Sequence, residues 1–280
     1  MELISLDGST MSEKTRILSW GCGVQSTTLA VMSALGDVDP LHAVITADTH
    51  WERAATYEAR SFYTDWLRDR GVRVEIVSGG DVRREGAEQH IHIPFWTSDG
   101  GPLRRQCTRH FKIMPIRRCI RELTGYHPTK PPHPPANSVE LWLGISLDEF
   151  TRMKPSRVRF IYHRWPLIER RMTLNDCVDY LEEHNLPVPV KSACIGCPYR
   201  SASEYLTIKH EAPEEWEQAT AFDEVHRNNP LARRGGSTAD QLYIYKHGPL
   251  AEANLEADAT RERQGKQLPL IVCEDGYCMA

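Results

Sequence analysis

The first eighty residues alternate between strand-like and helix-like segments, and this alternation constrains the fold more than any other feature of the chain. Apolar segments at 15–20, 42–48 and 72–78 predict three strands. Helix-like segments separate them, the second running over 52–70 with Gly71 as its C-terminal cap. Strands that alternate with helices form parallel sheets covered by helices on both faces. The sequence therefore predicts an α/β fold with a mostly parallel sheet.

The pattern continues more irregularly after residue 80. A helix is predicted at 113–123, and apolar segments at 138–146 and 159–167 predict two more strands. The proline-rich segment 126–137 is predicted as an exposed, semi-stiff loop. A capping-box pattern predicts a further helix over 173–185. We expect an α/β domain at 1–170 and a helical extension that carries the remaining cysteines at 171–280.

Composition excludes several classes of protein. With 34 basic and 38 acidic residues the net charge is −4, so any nucleic-acid surface must be local. No stretch approaches the roughly 18 apolar residues of a membrane helix, and the first residues lack the pattern of a signal or transit peptide. We therefore expect a cytoplasmic protein without membrane association. In a reducing compartment its eight cysteines predict metal ligands or catalytic thiols.

The turn after the first predicted strand has the chemistry of a phosphate-binding loop. Glycines let the backbone approach an anion, while loop amides, hydroxyls and the next helix's N-terminus bind phosphate oxygens. A tight turn without a ligand is the alternative. The turn matches neither the Walker A nor the Rossmann glycine pattern. The candidate binding residues are Ser19, Gly21, Gly23, Gln25, Ser26 and Thr27.

Two more polar segments follow predicted strands, at the edge where ligands bind in open α/β sheets. Asp48 and Thr49 end the second strand and would either contact a ligand or cap the next helix. Gly144 follows a later strand, and beyond it the carboxylates of Asp148 and Glu149 would hold Mg²⁺ while Arg152 neutralises phosphates. A solvated turn is the alternative for this last segment.

The cysteine spacing predicts a metal centre. Cys194 and Cys197 form a Cys-x-x-Cys followed by proline, which is typical of iron–sulfur loops. Cys107 lies among basic residues that are expected to favour its thiolate, and Cys273 follows an apolar run that would return it to the core. These four are the predicted cluster ligands, with Cys278 as the alternative to Cys273.

Two other interpretations of the cysteines stay open. Zinc held by Cys194 and Cys197 with Cys273 and Cys278 is the main alternative, and free thiols or a redox pair are the third. The cysteines predicted to be packing residues are Cys22, Cys119 and Cys177.

In their order along the chain these motifs resemble the PP-loop ATP pyrophosphatase superfamily, in the branch of phosphoadenosine-phosphosulfate reductases and DNA-phosphorothioation sulfurtransferases. Segment 19–27 is similar to that family's Ser-Gly-Gly-x-Asp-Ser loop, 47–58 to its Asp-Thr-Gly segment, and 144–152 to its Gly-x-Arg-x-Asp-Glu-Ser segment. Segments 107–112 and 191–198 are similar to the cysteine motifs of its iron–sulfur members.

The chain departs from the family pattern at three places. Gln25 stands where the pyrophosphatases carry aspartate, and Ser146 stands where they often carry arginine. The C-terminal segment also lacks the Glu-Cys-Gly-x-His motif of the reductases. These departures affect the residues that would bind a metal ion and phosphates.

The resemblance implies an adenine nucleotide alpha hydrolase-like fold that binds ATP and Mg²⁺, with phosphates on the 19–27 loop and adenosine near Asp48. Arg109, Lys112 and Arg152 would face the phosphates or a sulfur-bearing substrate, with Asp148 beside them. A [4Fe-4S] cluster and a sulfur donor such as a cysteine desulfurase are also implied.

We therefore expect an ATP pyrophosphatase that adenylylates an acceptor oxygen, in nucleic acid of the DNA-phosphorothioation or tRNA-thiolation type, so that sulfur replaces AMP. A basic run is the candidate nucleic-acid surface, with a solvated strand and turn as the alternative. The run comprises Arg152, Lys154, Arg157, Arg159, His163, Arg164, Arg170 and Arg171.

Two other functions compete with this expectation. In a sulfonucleotide reductase the same loop would hold a nucleotide, and a thiol such as Cys278 would attack its sulfur. A catalytically silent nucleotide-binding scaffold with structural zinc is the other, and Gln25 favours it.

Overall fold

A five-stranded parallel sheet organises the chain, and the computed structural model describes residues 14–88, 93–228 and 239–264. The sheet order is β3-β2-β1-β5-β6, and each neighbouring pair is parallel. This arrangement confirms the predicted α/β fold. The strands are β1 (Thr15–Ser19), β2 (Ala43–Asp48), β3 (Val74–Ser78), β5 (Val139–Leu143) and β6 (Ile161–Arg164). The short strands β4 (Trp96–Thr97) and β7 (Leu242–Tyr243) form a separate antiparallel pair.

Helices cover both faces of the sheet and continue beyond it. They are α1 (Val24–Leu35), α2 (Ala54–Arg68), α3 (Val82–Glu88), α4 (Met114–Leu123), α5 (Pro166–Glu169), α6 (Leu174–Glu183), α7 (Ala202–Glu211), α8 (Pro213–His226) and α9 (Leu255–Arg263). A π-helical turn (Thr108–Ile113) precedes α4, and 3₁₀ turns lie at Leu147–Arg152 and Leu250–Glu252. Across the described ranges no helix combines the length and apolarity that crossing a membrane requires.

The predicted elements are found with shifted ends. Thr173 and Asp176 form the predicted capping box of α6, since each side chain accepts from the other's backbone amide. The predicted strand at 159–167 is shorter, because Pro166 has the backbone angle of a first helical residue and begins α5.

Three hydrophobic clusters hold these layers together. One joins α1, α2 and α6 to one face of the sheet, with Leu29 and Leu181 fully buried. A second joins α4 to the other face through Ile116 and Ile120. The third gathers α7, α8 and α9 around Trp51, which follows β2. The division at residue 170 stays a prediction; α6, which lies beyond it, packs on α1 in the first cluster.

The proline-rich loop is attached to α4 by one side chain. Arg121 is buried, and its guanidinium donates to backbone carbonyls of His127, Lys130 and Pro132 and contacts the ring of His133. Most side chains of the loop are exposed, as predicted. Its order therefore comes from Arg121 as well as from the stiffness of its prolines.

Candidate functional site

A cavity of about 470 Å³ opens at the carboxyl ends of β1 and β5. Strand β1 pairs with β2 along one of its edges and with β5 along the other. This is the switch point of strand order, where open α/β sheets bind their ligands. The volume lies in the range of small-molecule sites.

The predicted phosphate loop forms the floor of this cavity. Its lining residues there are Ser19, Gly21, Gly23, Val24, Gln25 and Ser26. Gly23, which has no side chain, is the N-cap of α1, so the first backbone amides of the helix carry no capping side chain. Those amides and the helix dipole favour an anion at this position.

Gly144 lets β5 approach this loop closely. A Cβ at Gly144 would lie 2.6 Å from the backbone nitrogen of Ser26 and 2.7 Å from its Cα. Only glycine permits this distance without movement of the backbone of α1. The two sides of the cavity floor are therefore packed against each other at Gly144.

Ser19 presents an unsatisfied hydroxyl to the cavity. It is 4% exposed, and within the described part of the chain its Oγ has no hydrogen-bond partner. A buried hydroxyl without a partner costs free energy, and such groups are uncommon in folded proteins. Its position at the end of β1 points to a polar ligand in the cavity.

Three side chains form a charged network on the β5 side of the cavity. Arg152 Nη1 lies 2.5 Å from Glu149 Oε1, and Gln25 Nε2 donates to Glu149 Oε2 at 3.1 Å. All three line the cavity. Arg152 thus stands where the sequence predicted a phosphate-binding cation, already paired with a carboxylate.

The cavity lining also contains residues that the sequence motifs do not include as site residues. Leu174, Asn175 and Val178 of α6 line the cavity, and so do Lys191 and Ser192. Lys191 is also paired with Glu204 at 3.2 Å. The position of Lys191 shortly before the Cys-x-x-Cys could have marked it as a site residue. The α6 residues could not have been recognised in this way, because their composition does not differ from that of other surface helices.

Other predicted binding residues lie outside the lining of this cavity. Thr27 is fully buried, and its Oγ1 accepts from Trp20 Nε1 at 3.0 Å. Thr49 is buried beside the cysteines described below. Asp148 accepts from the backbone amide of Leu174 at 3.0 Å, at the start of α6.

Asp48 is engaged by groups of its own neighbourhood. Arg60 lies 2.9 Å from its carboxylate, and the His50 amide donates to it at 2.7 Å. Burial by itself raises the pKa of Asp48, but the hydrogen bonds from His50 and Arg60 outweigh it and lower the pKa. Asp48 is therefore an ionised group that holds α2 against the end of β2.

Three of the predicted metal ligands line a second, smaller cavity of about 40 Å³. Cys107 comes from the start of the π-helical turn, and Cys194 and Cys197 come from the Cys-x-x-Cys loop. Gly196 is required within this loop, because a Cβ there would lie 2.3 Å from Cη2 of Trp51. Cys273 and its alternative Cys278 lie outside the described residues.

Burial and charge act in opposite directions on the Cys107 thiol. Burial has the largest effect and raises the pKa of Cys107 above its usual value, whereas Arg105 and Lys112 lower it and so favour the thiolate, as predicted. Arg105 also lines the cavity, and Arg105 Nε is buried without a partner among the described residues.

Lys112 lines the cysteine cavity and also a small pocket that contains Gly21 of the phosphate loop. Its Nζ lies 2.9 Å from Glu52 Oε1, and both side chains are buried. Burial by itself raises the pKa of Glu52, but the Lys112 ammonium outweighs it and lowers the pKa. Arg109, the other cation of this segment, is exposed and lines neither cavity.

The donor set fits an iron–sulfur cluster. Three thiols from two chain segments line one cavity, and the half-buried Arg105 and the buried Lys112 would offset the negative charge of a thiolate-ligated cluster. Within residues 14–88, 93–228 and 239–264 no three His, Cys, Asp or Glu side chains are grouped to hold a single metal ion.

One loop joins the two cavities. Ser192 lines the larger cavity and its Oγ donates to Glu52 Oε2 at 3.3 Å, while Thr49 Oγ1 lies 3.4 Å from Cys194 Sγ. Glu52 also pairs with Cys194 in an isolated antiparallel bridge. The nucleotide-sized cavity and the cysteines are therefore neighbours.

The remaining described cysteines are buried as predicted. The exposed fractions of Cys22, Cys119 and Cys177 are 4%, 7% and 0%. Burial raises the pKa of Cys22 to about 12. These thiols pack in the core and do not reach the cysteine cavity.

Only some side chains of the basic run are exposed. Arg164 is bound by three acids, and His163 is buried with its Nδ1 on the Lys154 carbonyl. Arg152 faces the larger cavity. The exposed members are Arg157, Arg159, Arg170 and Arg171.

Comparisons with known proteins give similarities of fold. No family profile matches the sequence, and no curated protein matches it. The structure is similar to a phosphoadenylyl-sulfate reductase from Candida auris in a phosphate complex, with a TM-score of 0.43 and 14% identity over 66% of this chain and 79% of that one. It is also similar to the U34-tRNA thiolase NcsA from Methanococcus maripaludis with its [4Fe-4S] cluster, with a TM-score of 0.40 and 12% identity over 76% and 72% of the two chains.

Proposed function

We propose that this chain binds ATP in the cavity between β1 and β5 and transfers its adenylyl group to an acceptor oxygen. The observation that carries the proposal is the unpartnered, buried Ser19 Oγ on the floor of a nucleotide-sized cavity. The open amides of α1 and the cations Arg152 and Lys191 surround the same space. Hydroxyl, amide and cationic donors together are the groups that bind a polyphosphate.

The reaction conserves atoms and electrons. The acceptor oxygen attacks the α-phosphorus of ATP, the bond from that phosphorus to the bridging oxygen breaks, and pyrophosphate leaves with the electron pair. The acceptor oxygen then carries AMP and becomes a good leaving group. Hydrosulfide displaces AMP and forms the new bond to sulfur, so the exchange needs no oxidant or reductant.

Residues of the cavity stabilise the charge that develops in this reaction. Loop amides of α1 and the Arg152 guanidinium face the phosphates, where negative charge increases in the transition state. Leu174 and Val178 form an apolar wall that would exclude water beside a nucleotide base or sugar. Both effects depend on the packing of α6 against α1.

An iron–sulfur cluster is part of the proposal. Cys107, Cys194 and Cys197 would hold it, with Cys273 as the fourth ligand. When bound, such a cluster supplies iron sites for sulfur ligands and a redox centre. This chain's own cations beside the cysteines, Arg105 and Lys112, would balance its charge.

We further propose that the acceptor belongs to a nucleic acid and that a cysteine desulfurase or a similar donor supplies the sulfur as a persulfide, from which an external thiol releases hydrosulfide and is itself oxidised to a disulfide. Exposed arginines continue from the cavity along the chain, beginning after Arg152 and including Arg157 and Arg159. Arginines of this kind bind phosphate backbones. Changing both to glutamine should lower the slope of log affinity against log salt by about 0.9 for each phosphate group that the variant no longer binds.

Pyrophosphate release by purified protein tests the main proposal. With ATP, hydrosulfide and an acceptor nucleic acid, the protein should release pyrophosphate and AMP. Arg152→Gln should lower kcat/KM by about a hundredfold, as loss of a transition-state donor does. Arg73→Gln is the matched control, since Arg73 is also paired with a glutamate but lies near β3, away from the cavity.

Two results would count against the proposal. The first is that the protein releases no pyrophosphate with either DNA or tRNA as the acceptor. The second is that it releases sulfite from phosphoadenylyl sulfate with a thiol donor, which would assign the cavity to a reductase instead.

A further inference from the structure

Glu149 is the only acidic residue among the described residues that line the larger cavity. Its side chain is 29% exposed and is held from two sides. Arg152 Nη1 lies 2.5 Å from one carboxylate oxygen, and Gln25 Nε2 donates to the other at 3.1 Å. A carboxylate therefore stands inside a space whose other features favour anions.

This carboxylate opposes the binding of a bare polyphosphate. Like charges a few ångströms apart repel each other strongly near a protein surface. Glu149 also neutralises Arg152, so the cation that would attract a phosphate is already paired. If Arg152 turns to a triphosphate alone, the ion pair breaks and Glu149 keeps only the neutral amide of Gln25.

A divalent cation removes this conflict. Mg²⁺ at nucleotide sites is usually bound by one or two carboxylates together with the substrate phosphates. With such a cation the phosphates take Arg152 and the cation takes Glu149, so both charges of the broken pair find new partners. Gln25 adds a carbonyl oxygen at the same place and no negative charge.

We propose that Glu149 makes nucleotide binding in this cavity depend on a divalent cation, by accepting the cation while Arg152 is released to the phosphates. The inference rests on the proposed function, because it takes a nucleoside triphosphate as the ligand. Glu149, rather than Asp148, is assigned as the cation ligand, because Asp148 accepts a hydrogen bond from the backbone amide at the start of α6.

Calorimetry with α,β-methylene-ATP tests this role without any turnover. The dissociation constant is measured in Mg²⁺ and in EDTA for wild type, Glu149→Gln and Glu169→Gln. Glu169 is the matched control, because it is also paired with an arginine, Arg164, but does not line the cavity. Thermal melting of each variant checks that it is folded.

The expected result is a change in the metal dependence itself. Wild type and Glu169→Gln should bind at least about tenfold more tightly in Mg²⁺ than in EDTA, which corresponds to about 1.4 kcal/mol. In Glu149→Gln the ratio should fall to about threefold or less, because the affinity in EDTA rises once the repelling charge is gone.

The outcomes that overturn the inference differ from failure of the proposed function. If Glu149→Gln keeps the wild-type ratio, or if wild type binds equally well in EDTA, the inference is wrong while ATP binding stands. If wild type binds no nucleotide under either condition, the proposed function itself is wrong and the inference falls with it.

Discussion

Replacing Gly144 with alanine should damage both the stability of the protein and its nucleotide binding. The added Cβ would lie 2.6 Å from the backbone nitrogen of Ser26, which is 0.8 Å short of the 3.4 Å at which ordinary contacts begin. The nearest atoms belong to the backbone of α1, which cannot rotate away as a flexible side chain can. Either β5 or the first turn of α1 must therefore move.

The size of the effect follows from this overlap. Inserting one methyl group into a packed site costs about 1–3 kcal/mol. For a domain of this size each kcal/mol lowers the Tm by about 2–4 °C, so we expect a decrease of about 2–12 °C. The movement also shifts the amides of α1 that face the cavity, so the affinity for an ATP analogue should fall by about tenfold, since hydrogen bonds weaken steeply with poor geometry.

Gly23→Ala is the matched control on the same cavity floor. Gly23 has φ of −97° and ψ of 174°, which alanine adopts freely, and its Cβ would lie 3.8 Å from the Ser192 backbone nitrogen. Its stability should be unchanged or higher by about 0.4–1 kcal/mol, because the unfolded chain loses entropy. Its affinity should still fall, since the methyl group lies at the cavity lining.

Differential scanning fluorimetry and calorimetry separate these outcomes. Both variants should lose affinity, and only Gly144→Ala should lose stability. A Gly144→Ala protein with the wild-type Tm and affinity would refute the claim that the two sides of the floor are held together at this contact.

Three further predictions concern other parts of the described chain. Asp48→Asn should destabilise the protein by about 1–3 kcal/mol at pH 7, because the charged bond to Arg60 is lost. Since the pKa of Asp48 is lowered in the folded protein, wild type loses this stabilisation as the pH falls below 3.8, and thermal melts of the two proteins should then agree. Arg121→Met should release the loop at 126–135, seen as faster proteolytic cleavage there, whereas an unchanged cleavage rate would show that the prolines alone order it. Asp223→Ala should cost about 2–4 kcal/mol in chemical denaturation, because two buried backbone amides lose their acceptor, and a loss below about 0.5 kcal/mol would contradict this assignment.

Elements defined by periodicity were predictable from the sequence. The strands of the sheet lie in the segments that were predicted as strands, and the glycine turn after β1 lies at the edge where a parallel sheet binds ligands. The three cysteines that line the smaller cavity were also predictable as a group from their spacing and basic neighbours. In each case the signal is local, or it follows from the topology of parallel sheets.

Contacts between distant segments could not be predicted in the same way. Lys112 carries a charge that suits phosphates, yet the fold places Glu52 beside it, so it forms a buried ion pair. Asp48 is taken by Arg60, which lies in the second turn of α2. Which face of α6 closes the cavity depends on how the helix packs on α1, and no spacing in the sequence encodes that.

The position of β1 determines when the ligand site can form during synthesis. β1 is paired on one side with β2, its near neighbour in sequence, and on the other with β5, more than one hundred residues later. Ser192, further still toward the C-terminus, completes the lining. A nascent chain that has left the ribosome only as far as β3 therefore carries the phosphate loop on an open sheet edge, with no pocket to hold a nucleotide. Ligand can stabilise this fold only after most of the polypeptide has emerged.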